Sequence, residues 1–226
     1  MSVPDLRYHD IIDALEEELH ACDRVLSGLT DTDWSAETKL VPLTGATPWT
    51  VRTLAYHIDF AMNLALQLIA SPQDTQVARD YASFYIFDRS TVGPTVYQLM
   101  VDLAGDTSAK DINAHLEQTT KTLVAAAGNT SEDVVGPAFF GPMRLRDMMA
   151  TRVVEAVVHG LDVADALGRP PHATEAGMAI AAATMDELLT RCAVPGRPAD
   201  LADDVTFLRV ATGRRDHPDP RFPLGL

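Results

Sequence analysis

Arg152-Val153-Val154-Glu155-Ala156-Val157-Val158-His159-Gly160-Leu161-Asp162 is the stretch on which the fold turns. Its valines and leucine flank every polar position, so a helix here is buried on most sides. Yet Arg152, Glu155, His159 and Asp162 recur at steps of three, four and three, which places all four on one face. A solvated face is not normally bracketed this way. A buried glutamate and histidine left unpaired cost several kcal/mol, so they need partners or a cation.

A carboxylate and an imidazole at i and i+4 lie close enough to hold one metal ion, at a spacing one residue longer than the Glu-x-x-His of bundle metalloproteins. Arg152 and Asp162, at the ends of the stripe, read as groups that orient Glu155 and His159 and balance their charge. His57 supplies a third ligand from the apolar stripe of another helix. Two histidines and one carboxylate leave a coordination position open, as catalytic zinc sites do and structural ones do not. The plainer alternatives are a Glu–His surface hydrogen bond and a satisfied core histidine. His9, His20 and His115 fall among charged neighbours on exposed faces, and His172 and His217 sit beside prolines in loops.

Working outward, the helical period dominates. Ile11, Leu15, Leu19, Cys22, Leu26 and Leu29 mark one face of a first helix, with Asp5 as a cap near its start and Gly28 near its end. The second helix is expected to take Thr47 as N-cap and Pro48 as its first residue, with Leu54, His57, Ile58, Ala61, Leu64, Ala65 and Leu68 inward. Between about 73 and 106 the signal weakens. Phe84 to Phe87 fit a short strand or an irregular helix, Gly93-Pro94 punctuates, and Thr95 to Ala104 fit a short helix. A third long helix runs from about Ser108 to Ala127, a fourth from near Pro142 to Leu167, and a fifth from Thr174 to about Cys192. Val205 to Ala211 reads as one strand before a proline-rich tail. The prediction is a mainly α protein: a four-helix bundle with a crossover, residues 1–170, and a small C-terminal helix/strand extension, residues 171–226, read as an incomplete α/β domain.

Composition bounds the function. With 226 residues, Lys+Arg 18 against Asp+Glu 32 and a net charge of −14, the surface repels nucleic acid and anionic lipid, whose binding depends on Lys and Arg neutralising phosphates. No apolar run approaches the roughly 20 residues of a membrane span. Residues 1–5 carry neither a basic nor an apolar leader region, and a cytoplasmic protein is expected. Cys22 and Cys192 lie too far apart in sequence to read as a disulfide framework, and both are expected as small buried hydrophobes.

Trp49-Thr50-Val51-Arg52-Thr53-Leu54-Ala55-Tyr56-His57 resembles the W-x-V-x-x-L-x-x-H segment of the DinB-like superfamily. Residues 152–162 resemble the R-x-x-E-x-x-x-H-x-x-D segment of its mycothiol-dependent maleylpyruvate isomerase branch. The resemblance covers about residues 5 to 170, with both motifs in order. It implies a DinB-like bundle in which His57, Glu155 and His159 bind zinc, and a low-molecular-weight thiol, mycothiol, as co-substrate at the open position. A coordinated thiol is deprotonated outright, giving a nucleophile at neutral pH. Adding to an activated double bond and leaving again makes an isomerase; displacing a leaving group makes an S-transferase. Val205 to Arg214 resembles a strand and Gly-Arg turn in the C-terminal domain of those isomerases. Arg209, Arg214 and Arg215 are therefore candidates to grip a carboxylate, or a sugar of the thiol, the alternative being a solvated basic tail.

Three functions stay open on these residues: a zinc enzyme that activates mycothiol toward a small electrophile, a zinc hydrolase without a thiol, and a non-catalytic metal- or ligand-binding bundle. A monomer or a homodimer is consistent with all three.

Overall fold

The computed structural model describes residues 2–40, 48–87, 89–192 and 196–224. After a single 3-10 turn at Val3–Asp5, helix α1 spans Tyr8–Leu26. Its start is fixed by Asp10, whose carboxylate accepts from the backbone N–H of Arg7, rather than by Asp5. Ile11, Leu15, Glu18, Leu19 and Cys22 form its buried face. A short α2, Asp31–Trp34, follows, and then α3, Val51–Ala70. The N-cap of α3 is Thr50, whose hydroxyl accepts from the Thr53 N–H at 3.3 Å. Pro48 thus precedes the helix instead of opening it, and Thr47 lies outside the described residues. Threonine at N-cap satisfies one of the orphan donors of the first turn, which proline cannot do.

Phe84 and Tyr85 fall in a 3-10 turn, Ser83–Tyr85, so neither a strand nor a longer helix forms there. Helix α4, Arg89–Gly105, continues through Pro94. Proline forfeits one backbone bond, but Tyr97, Met100 and Ala104, at steps of three and four, are buried where α4 packs along α3. Helix α5, Ala109–Gly128, is capped by Ser108. A two-residue hairpin, β1 (Val135–Gly136) and β2 (Met143–Arg144), pairs antiparallel with Gly136 opposite Met143. Helix α6, Leu145–Ala166, is buried along nearly its whole length.

Helices α1 and α3 each pack on both α5 and α6, making the four-helix bundle. Helix α7, Glu175–Cys192, then lies on α6 and α1, which is why α6 has almost no exposed side. The expected strand at Val205–Ala211 is instead α8, Asp204–Ala211, packed on α7. Asp203 caps it by accepting from the Thr206 N–H at 2.8 Å, and Phe207, Leu208, Val210 and Ala211 are buried on one helical face. Cys22 is buried as expected, whereas Cys192 is exposed.

Candidate functional site

His57 projects from α3, and Glu155 and His159 project one turn apart from α6. The two helices pack against each other, so the three side chains meet at the bundle's centre. His57 Nε2 lies 3.6 Å and His159 Nε2 3.3 Å from Glu155 Oε2. Each residue offers one ligand atom within 4.8 Å of the other two. Neutral or charged hydrogen bonds favour roughly 2.7–3.2 Å, and these separations are longer. Ligands about 2.0–2.2 Å from a tetrahedral ion stand roughly 3.4 Å apart, and these separations bracket that value. The donor set, two imidazoles and a carboxylate, suits a divalent ion of the zinc class.

The two histidines are held differently. His159 Nδ1 lies 3.0 Å from Asp162 Oδ2, and Asp162 in turn receives Arg214, Nε at 3.1 Å on one oxygen and Nη2 at 2.9 Å on the other. This is the outer arrangement that fixes the tautomer and ring plane of a ligating imidazole. His57 Nδ1 is buried and has no hydrogen-bond partner among the described residues. Its ring is held by packing instead, 4.9 Å from the His159 ring edge-on and 5.1 Å from Trp49.

Charge is balanced within the site. Burial pushes the Glu155 carboxyl up, but the contacts with His159 and His57 and the charge of Arg152 outweigh it and hold the group well below its ordinary range. Burial lowers His57. It opposes charge on His159 too, yet Asp162 and Glu155 prevail and raise that imidazole. Asp162 is held low against its own burial by Arg214 and His159. Arg152, 1% exposed, donates Nη1 to the Ala61 carbonyl at 2.8 Å and Nε and Nη2 to the Thr151 hydroxyl. It therefore ties α6 to α3 one turn beyond His57 and sets a positive charge beside Glu155.

A cavity of about 360 Å³ opens directly over these groups, with His57, Arg152, Glu155, His159 and Arg214 in its lining. That volume lies within the range of roughly 300–1,000 Å³ usual for small-molecule sites. Of the candidate arginines from the C-terminal stretch, the structure brings only Arg214 here. Arg209 pairs through its Nε and Nη2 with Asp165, one turn along α6 from Asp162, and does not line the cavity. Arg215 is exposed and away from it. The 73–106 stretch was expected to contribute to the pocket wall and does so through Phe84, Tyr85 and Phe87, whereas Lys39 and the Phe139–Phe140 pair, also in the lining, were missed. Two adjacent aromatics between Gly136-Pro137 and Gly141-Pro142 were a readable signal, because a hairpin loop has little reason to carry them.

The family model described as the mycothiol maleylpyruvate isomerase N-terminal domain matches residues 15–164. No curated protein matches the chain. Among solved structures, the mycothiol-dependent maleylpyruvate isomerase superposes with a TM-score of 0.66 at 14% identity, covering 95% of this chain and 92% of the other. A histidine-to-alanine mutant of that protein gives a TM-score of 0.65 at the same identity and coverage. At such identity the likeness is one of fold.

Proposed function

The chain belongs to the family of the mycothiol maleylpyruvate isomerase N-terminal domain, an enzyme family, and on that premise we propose that it uses mycothiol as co-substrate at a divalent metal, zinc, held by His57, Glu155 and His159. One observation carries the reading: three ligand atoms of the right chemistry converge within 4.8 Å on the floor of a cavity large enough for a small substrate. A divalent ion there acidifies a thiol that ligates it, so that the sulfur is nucleophilic at neutral pH.

The chain's own groups have separable tasks. Asp162 accepts from His159 Nδ1 and leaves the Nε2 lone pair directed at the centre; Arg214 keeps Asp162 ionised and in place. His159 and His57, with the charge of Arg152 beside them, hold Glu155 as a carboxylate. Arg152, Asp162 and Arg214 are thus positioning residues in this proposal, while Arg209 and Arg215 have no part in it. For isomerisation, the thiol sulfur bonds to one carbon of an activated double bond and the π pair moves onto the conjugated carbonyl oxygen. The new single bond rotates, the pair returns, and the sulfur leaves unchanged. For S-transfer, the same bond forms while a leaving group departs with its electron pair.

The test is spectroscopic. The cobalt(II)-substituted protein should gain a sulfur-to-metal charge-transfer band in the near ultraviolet when mycothiol is added. Cobalt bands that persist with no such band would overturn the thiol assignment.

A further inference from the structure

We infer that the substrate bound over this centre is an electrophile with a planar aromatic body and no more than one carboxylate, selected by Phe140 and its neighbouring rings and by Lys39. The inference rests on the thiol-activating reading of the same site and names its substrate class.

Five phenylalanines line the cavity: Phe60 on α3, Phe84 and Phe87 after it, and Phe139 and Phe140 in the loop between β1 and β2. Phe140 is the hub. Its ring stacks on Phe87 at 4.5 Å and 18° and meets Phe84 at 5.4 Å and Phe139 at 5.0 Å, both edge-on. A second stacked pair, Trp49 on Tyr97 at 6.0 Å and 9°, lines the same cavity. Phe139 is 49% exposed, so this wall is not simply the core's edge. A ring left half in water gains when a flat apolar ligand covers it.

Charge argues the same way. A dicarboxylate asks for two available cations. Among the described residues three cations line the cavity, Lys39, Arg152 and Arg214. Arg214 is committed to both oxygens of Asp162 and, through Nη1, to the Thr212 carbonyl. Arg152 is buried, bonded through all three of its nitrogens to Thr151 and Ala61, and its charge faces Glu155. Lys39 alone is exposed, at the rim, and makes no ion pair among the described residues. One carboxylate can be met at the mouth while the rest of the molecule lies against rings.

Three probes that share one enoate carboxylate and differ only in the far substituent separate the possibilities: trans-cinnamate (phenyl), trans-crotonate (methyl) and fumarate (a second carboxylate). Because cinnamate and crotonate carry the same single carboxylate, any contact it makes with zinc cancels between those two, and fumarate reports whether a second carboxylate is accepted. Ligand-observed NMR titration of the full-length zinc-loaded protein should give cinnamate an advantage of about tenfold or more over both others, the size expected for covering a phenyl face with aromatic rings. Phe140→Ala should bring cinnamate to within about threefold of crotonate, whose own binding is unchanged. Phe139→Ala, which removes an exposed ring, makes the same test if Phe140→Ala does not fold. Lys39→Gln should weaken all three acids by a similar severalfold factor. Fumarate binding as tightly as cinnamate, a cinnamate preference unmoved by both phenylalanine variants, or no binding of any probe overturns the inference. No thiol enters these titrations. The expected preference without a thiol–cobalt band would retire the thiol reading and keep the substrate class, and the reverse pattern would do the opposite.

Discussion

His159 and His57 occupy comparable places around Glu155, but only His159 is fixed from behind. Asp162 receives its Nδ1 and Arg214 locks Asp162, so truncating His159 removes a preset ligand while the Asp162–Arg214 pair stays satisfied. His159→Ala is therefore expected to abolish stoichiometric zinc binding with helix content retained, since the apolar faces of the bundle are untouched. Full zinc occupancy in the purified variant, by metal analysis, would refute the ligand assignment. Across α6 from this centre, Glu18 offers a test of a different kind. It is fully buried, its Oε2 accepts from the Thr174 N–H and hydroxyl at 2.8 Å each, and its Oε1 has no partner among the described residues. Burial pushes its carboxyl above the ordinary 4.5, with the Thr174 bonds opposing only in part. A carboxyl raised in the folded state stabilises below its unfolded value, and that contribution is lost as pH rises through the raised one. The stability of Glu18→Gln relative to the parent should thus improve steadily between acid and neutral pH in denaturant titrations; a difference that stays flat would show that Glu18 does not titrate with folding. Glu155 and His159 were legible because valines bracketed them, a contradiction that only a partnered buried pair resolves. Glu18 was not legible, because on a one-face reading of α1 it looks like one acid among several.

At the level of elements, helices declared themselves where the apolar period was long and uninterrupted, as in α1, α3, α5 and α6. Short elements did not. Val205 to Ala211 is rich in strand-favouring residues, yet the Asp203 cap and the Phe207, Leu208, Val210, Ala211 spacing decide for α8 once α7 offers a surface. Likewise the expected cap of α3 was Thr47, whereas the helix is capped three residues later by Thr50, whose hydroxyl accepts from the Thr53 N–H. The hairpin before α6 is set by close approach. A Cβ at Gly136 would lie 2.5 Å from the Leu68 carbonyl oxygen and 2.9 Å from its Cγ at the end of α3. Backbone cannot yield as a flexible side chain does, so Gly136→Ala should cost about 2 kcal/mol or more, measurable as a lower urea midpoint. Because this hairpin carries Phe139 and Phe140, its displacement should also weaken cinnamate. Unchanged stability in that variant would mean that the hairpin is not pinned to α3.

For the whole molecule, the question is how residues 171–226 relate to the bundle. Beyond residue 170 the resemblance in the sequence reached only Val205 to Arg214, a stretch that offered Arg214 as a site candidate but was read as a strand and not as α8, because the tail's order comes from surfaces far away in the chain. We propose that residues 1–170 form the bundle unit and that residues 171–226 are an extension folded onto it, helical rather than α/β over its described residues. Helix α7 covers α6 and α1, with Gly177 so close to Glu18 that an added Cβ would come within 2.6 Å of its carboxylate. Helix α8 rests on α7, and Arg214, just beyond α8, returns to Asp162 at the centre of the site. Removing the extension would expose α6, whose side chains are buried nearly throughout, and would leave Asp162 without its cation. Extension and bundle should therefore unfold together. Calorimetry of the full chain is expected to show one transition whose calorimetric and van't Hoff enthalpies agree. Zinc, if held by His57 and by the α6 pair, binds the folded state alone and should raise that single midpoint, with chelation lowering it again. Two separated transitions, only one of them moved by zinc, would mean that the extension is an independent unit and that the path from Arg214 through Asp162 to His159 does not couple it to the site.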